Sequence, residues 1–137
     1  MEELTVKADV NELDNVLMFI DALLEKAECP MKAQMQLDVA VEELFVNIAH
    51  YAYTPDEGDA TIQTEVTGIS PEARVRITFI DRGIPYNPLE KEDPDITLSA
   101  EERQIGGLGI YMVKKSMDDM SYEHKDGQNI LTIVKNF

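Results

Sequence analysis

Apolar side chains recur along the chain with two periods, and the changes from one to the other divide it into elements. Residues 4–10 alternate weakly, as a short strand does. The period then lengthens, placing Leu13, Val16, Leu17, Ile20, Leu23 and Leu24 on one face of a helix, with Asn11 as its predicted cap. Pro30 ends that helix and suits the start of another, predicted to run from Met31 through Tyr53 to the break at Thr54-Pro55. Residues 60–66 and 73–80 return to a strand pattern, with turn residues before and between them, and read as an antiparallel hairpin. Residues 83–106 carry Pro85, Pro88 and Pro94 among many acids, too long and irregular for an ordinary connection, so a functional lid is expected over about 84–105. A third helix is predicted over 110–120, followed by two short strands around 122–124 and 129–134 that turn at Asp126-Gly127.

The resulting order, β-α-α-β-β-lid-α-β-β, predicts an α/β two-layer sandwich with helices on one face of a mixed, mostly antiparallel sheet. A length of 137 residues suits one domain spanning 1–137, and no internal repeat is visible. The stripe on the first helix is expected to face the core.

Composition and charge narrow the partners. With 44% hydrophobic and 28% charged residues, the chain has the balance of a folded protein and not of a disordered one. A net charge of -15 and the lack of any Lys/Arg cluster argue against binding a nucleic-acid backbone. Cys29 is the single cysteine, so an internal disulfide and a thiolate metal cluster are excluded, which suits a reducing compartment. The first ten residues lack the basic and apolar regions of an export signal, and no apolar run is long enough to span a bilayer, so a cytoplasmic protein without membrane attachment is expected.

Three features could carry chemistry. In the second helix, Glu43 and Asn47 lie one turn apart within a stretch, 39–49, that is apolar on almost every side. A carboxylate and an amide projecting together from a buried-looking helix mark a candidate site, although Glu43 could also be solvated or paired with a base. His50 follows one turn later, where a histidine is more often structural than a ligand. The strand containing Val75, Ile77 and Phe79 then delivers Asp81 at its end, with Gly83 two residues on. An acid there can accept a hydrogen bond from a ligand amino group while glycine lets the backbone come close, but D-x-G alone is usually a turn. Finally, the glycines of Gly106-Gly107-Leu108-Gly109 stand ahead of a helix, where exposed N–H groups and the helix dipole attract an anion such as phosphate. A hinge for the preceding loop is compatible with that reading.

In this order and spacing the features resemble the GHKL (Bergerat-fold) ATPase superfamily, and within it the standalone anti-sigma serine/threonine kinases. The likeness covers essentially the whole chain. Glu43 and Asn47 match the family's E-x-x-x-N box, and His50 to Tyr53 its His-x-Tyr-like end. Asp81-Arg82-Gly83 matches its D-x-G box, trailed by Ile84-Pro85-Tyr86-Asn87-Pro88, and residues 106–109 match the glycine box at the end of a variable ATP lid.

The resemblance implies that the protein binds ATP with Mg²⁺. By it, Asn47 would hold the metal, Asp81 would receive the adenine amino group, and Gly106, Gly107, Leu108 and Gly109 would cradle the phosphates. His50, Gly83 and Pro85 would belong to the nucleotide site, and Glu43 would be the general base. No basic residue is marked out as a transition-state cation; Arg82, Arg103 and Lys114 are near in sequence, and Arg103, close to the lid's end, is the candidate. The implied partners are a sigma factor, a STAS-domain anti-sigma-factor antagonist phosphorylated on Ser or Thr, and a second copy of the chain. A module that binds ATP only to shape a sequestering surface is the alternative; it needs Asn47, Asp81 and Gly83 but not Glu43. The chain has no G-x-x-x-x-G-K-[ST] loop and neither H-R-D nor D-F-G, so other kinase folds do not apply.

Overall fold

A computed structural model describes residues 1–53, 56–90 and 107–137. The elements in chain order are β1 (Glu2–Lys7), α1 (Leu13–Lys26), α2 (Met31–Tyr51), β2 (Asp59–Thr67), β3 (Arg74–Asp81), α3 (Gly107–Ser116), β4 (Asp119–Lys125) and β5 (Gln128–Asn136), with short 3-10 turns at Val10–Glu12 and Pro88–Glu90. The strands form one sheet in the order β1-β2-β3-β5-β4, and all four pairings are antiparallel. The sheet is therefore simpler than the mixed one expected. The helical crossover does leave β3 and β4 pointing the same way, but β5 folds back between them and is antiparallel to both.

The period-two pattern determines which face is covered. Leu4, Ile62, Phe79, Leu131 and Tyr122 form one cross-strand row, and Thr64, Ile77, Ile133 and Met120 the next. These rows meet Val16, Ile20 and Leu24 of α1, Leu37, Val41, Leu44 and Phe45 of α2, and Ile110 and Val113 of α3. Full burial of side chains such as Phe45 and Phe79 stabilises the fold by roughly 1.5–3 kcal/mol each. The α1 stripe accordingly faces the core, as its amphipathic pattern implied. The other face of the sheet is polar, with Thr5 bonded to Thr61 at 3.0 Å and Thr78 to Thr132 at 3.2 Å.

Two local expectations change. Asn11 does not cap α1; Asp9 accepts its N–H at 2.9 Å and starts the 3-10 turn that leads into the helix, which has no side-chain cap of its own. The third helix begins earlier and stops at Ser116, because the Asp118 N–H already donates to Val134 O and the Asp118 carboxylate accepts the Asn136 N–H. Those bonds tie the chain to β5 before another helical turn can form. No helix among the described residues is long and apolar enough to cross a membrane.

Asp21 of α1 and Asp38 of α2 interact across the helix pair, and one oxygen of each is shut off from water without a hydrogen-bond partner among the described residues. Burial, then the hydrogen bond to Asp21 and its charge, raises the Asp38 pKa from 3.8 to about 7. The folded state therefore holds a proton that the unfolded chain has released, and stability through this group is lost as pH rises from about 4 through about 7. Asp38→Asn should remove that slope. Since much of the carboxyl remains open to screening, the variant is expected to be more stable than wild type by only about 1 kcal/mol at pH 8. Urea titrations of both proteins at pH 5 and pH 8 check this; equal pH slopes would contradict it.

Candidate functional site

The β3 pattern Val75-x-Ile77-x-Phe79-x-Asp81 puts Asp81 on the covered face at the end of the strand, where an acid replaces the next expected core residue. Ala60 and Asn129 flank it on β2 and β5. Asp81 is 6% exposed. Its Oδ1 accepts the Gly83 N–H and an Asn129 Nδ2–H, both at 2.9 Å. Gly83 is needed for packing: a Cβ on it would lie 2.1 Å from the carbonyl oxygen of Ala52, at the end of α2. Immediately after it, the Ile84 N–H donates to that same oxygen at 2.9 Å. The strand end is thereby fastened to the helix end.

A cavity opens beside this junction. Asn47, Asp81 and Asn129 supply the amide and carboxylate groups of its lining, while Leu44, Ile48, Phe79 and Leu131 give it an apolar body. Tyr51, Ile84 and Tyr86 also line it and stay exposed, leaving large nonpolar surface at the site. An apolar cleft with a few placed polar groups has the character of a small-molecule site, and a flat heteroaromatic ring with an amino group matches this one. Tyr53 braces the same end of the molecule. Its hydroxyl donates to Asp59 O at 2.6 Å and accepts the Arg82 N–H at 2.7 Å. Burial holds its phenol above the usual tyrosine range, against the lowering effect of the Arg82 N–H.

Along α2, Asn47 sits on the pocket face, and Glu43 lies one turn toward the helix start, about 6 Å along the axis. Both are half-buried. The Asn47 Nδ2 is shut off from water and has no protein partner among the described residues, so it is an N–H donor left for a ligand's acceptor. Glu43 meets α3: a Cβ at Gly109 would lie 2.0 Å from the Glu43 Oε1, so glycine lets the first turn of α3 rest against the carboxylate. The acid and the anion-attracting end of α3 thus share one place, separated from Asp81 by Asn47. This is an order suited to a nucleotide lying along α2.

Other expected site residues fall elsewhere. His50 is exposed, and with Tyr53, Lys7 and Asp9 it lines a separate depression; its ring packs edge-on against Tyr51. Pro85 is exposed, while its neighbours Ile84, Tyr86 and Pro88 line the cavity. Gly107 and Leu108 belong to the first turn of α3. Gly106, Arg103 and most of the expected lid lie outside the described residues.

No group of three or more His, Cys, Asp or Glu side chains that could hold a metal occurs among the described residues. The amide oxygen of Asn47 and the carboxylate of Glu43, one helical turn apart, are the hard oxygen ligands that fit Mg²⁺, which keeps its waters and is held largely by phosphate oxygens. Sequence reasoning missed Asn129 and Tyr122. The signal was available, since Asn129 interrupts the buried alternation Asn129-x-Leu131-x-Ile133, and asparagine is disfavoured in strands.

Residues 6–135 match the family of histidine kinase-like ATPase domains. The serine/threonine-protein kinase BtrW of Bordetella bronchiseptica is 25% identical over 122 residues, 89% of this chain and 84% of that protein. The serine-protein kinase RsbW of Bacillus mycoides is 33% identical over 99 residues, and that of Bacillus cereus strain B4264 is 34% identical over 99. Each of these two alignments covers 69% of this chain and 59% of the Bacillus protein.

Proposed function

The chain belongs to the histidine kinase-like ATPase family, and from that premise we propose that it is an ATP-dependent serine/threonine kinase acting as an anti-sigma factor. Its substrate is a STAS-type anti-sigma-factor antagonist, and its other partner is a sigma factor. A homodimer belongs to the same reading. The observation that carries the proposal is the order along α2: Asp81 at one end of an apolar cavity, the unpartnered Asn47 amide next, and Glu43 against the start of α3.

In this reading the apolar walls take the adenine ring and exclude water from it, and Asp81 accepts the hydrogen bond of the exocyclic amino group. The N–H groups at the start of α3 receive the phosphates. Asn47 would hold Mg²⁺, which supplies charge neutralisation on those phosphates when bound. The partner's hydroxyl oxygen forms the new bond to the γ-phosphorus while the bond from that phosphorus to the ADP oxygen breaks, and Glu43 takes the hydroxyl proton. Phosphate on the antagonist adds charge and acceptor oxygens, which loosens its contact with the acidic kinase and leaves the kinase available to sigma.

Purified protein incubated with γ-labelled ATP, Mg²⁺ and STAS-domain partners is expected to move label to a partner serine or threonine. ATP binding without transfer to any partner would instead mark a sequestering module, and absence of nucleotide binding would refute the site itself.

A further inference from the structure

Asn129 fills its whole hydrogen-bonding capacity. Its Nδ2 donates to Asp81 Oδ1 and to Ile84 O, each at 2.9 Å. Its Oδ1 accepts the Tyr86 N–H at 3.3 Å and the Tyr122 hydroxyl. Two donors and two lone pairs are all that an amide has. The amide cannot be turned over, because its oxygen would then face two acceptors and its NH2 would face the Tyr86 N–H. The residue is 6% exposed and joins β5, β4, the end of β3 and the turn after it.

We propose that Asn129, held by Tyr122, is a positioning residue that sets the pocket's choice of base. It occupies Asp81 Oδ1 with an N–H donor, which fixes the side chain in the cavity lining and leaves Oδ2 as the acceptor open to a ligand. Oδ1 already carries the bonds from Gly83 and Asn129, and among the described residues Oδ2 has no hydrogen-bond partner. A base with an amino group at that point is matched, and a base with a carbonyl there meets a second acceptor and is rejected. Through Ile84 O and the Tyr86 N–H, the same amide holds the turn whose side chains line the cavity mouth. This inference rests on the adenine-nucleotide reading above and adds a specificity role to a residue that touches Asp81.

The test measures ATP and GTP binding by wild type, Asn129→Asp and Tyr122→Phe, each at pH 6 and pH 8. Asn129→Asp keeps the shape but sets a second acid against Asp81, and two such acids share a proton at low pH and repel at high pH. Its ATP affinity should be about tenfold weaker than wild type at pH 8 and recover substantially at pH 6. The other titratable or charged side chains near this point, Tyr53, Arg82, Tyr86, Tyr122 and His124, are common to wild type and this variant, so only a slope beyond that of wild type counts. Tyr122→Phe releases Asn129 Oδ1 and should narrow the ATP-over-GTP preference about threefold or more without a pH slope. Because that change removes a single oxygen, it answers the question even if Asn129→Asp fails to fold. Equal losses for both nucleotides, with no added pH slope, would reduce Asn129 to a structural residue and overturn the proposal. Wild type that binds neither nucleotide would overturn the ATP reading, and this inference with it.

Discussion

Glu43→Gln is expected to lower phosphoryl transfer to the partner by about 10²–10⁴-fold, the range that removal of a general base produces. ATP affinity should stay unchanged or tighten slightly. The physical reason lies in where Glu43 sits. It rests against the first turn of α3, where a Cβ on residue 109 would lie 2.0 Å from its Oε1, so the carboxylate is held at the end that the proposed function gives to the phosphates and away from Asp81. Glutamine keeps the volume and the contact with Gly109 but cannot accept the proton that the attacking hydroxyl must lose. It also removes a negative charge near bound phosphates, so binding does not suffer. Single-turnover transfer from γ-labelled ATP, measured beside equilibrium nucleotide binding, separates the two effects. Undiminished transfer would remove Glu43 from the mechanism, and a parallel loss of binding would make it a structural residue.

The second large effect is expected at the opposite end. Asp81→Asn should weaken ATP binding by about 10–100-fold, because an amide NH2 turned toward the base presents a donor to the adenine amino group and leaves both unpaired at about 1–3 kcal/mol. The fold should survive. The asparagine carbonyl can still accept the Gly83 N–H and the Asn129 N–H that Asp81 Oδ1 accepts now. That arrangement directs the new NH2 into the cavity, where it suits a carbonyl-bearing base better than an amino-bearing one, so discrimination against GTP should shrink or reverse. Titrations with both nucleotides, alongside thermal unfolding of the unliganded protein, measure the change. An ATP affinity equal to that of wild type would place the adenine elsewhere.

The periodic apolar pattern was enough to find every α-helix and strand among the described residues, because each must bury one face and side-chain direction repeats every 2 or 3.6 residues. Its errors were at ends, where the pattern stops carrying information. Whether Asn11 caps α1 or instead follows Asp9 into a 3-10 turn ahead of it, and whether α3 continues past Ser116, depends on single hydrogen bonds to residues distant in sequence or lying in turns. Sheet order was also hidden. Hairpins announce themselves by their turns, but the insertion of β5 between β3 and β4 is a pairing between strands far apart along the chain.

The site divides in the same way. Glu43, Asn47, Asp81 and Gly83 stand out in the sequence because each breaks a local rule: a charge and an amide on a buried-looking helix, an acid closing an apolar strand, a glycine two residues after it. His50 lies in the same stretch of α2 but lines a different depression, since the 3.6-residue turn sets it on the side of Asn47 away from Ile48 and Tyr51. Asn129 is 48 residues from Asp81 along the chain, and its meaning comes only from the register that pairs β5 with β3. The sequence by itself determined the elements, the covered faces and the residue types needed for nucleotide chemistry, because those follow from local periodicity and the cost of burying polar groups. Only the tertiary structure decided which of them share a cavity, how Asp81 is oriented and what holds Glu43 against α3, because contacts between distant segments depend on strand register and helix packing.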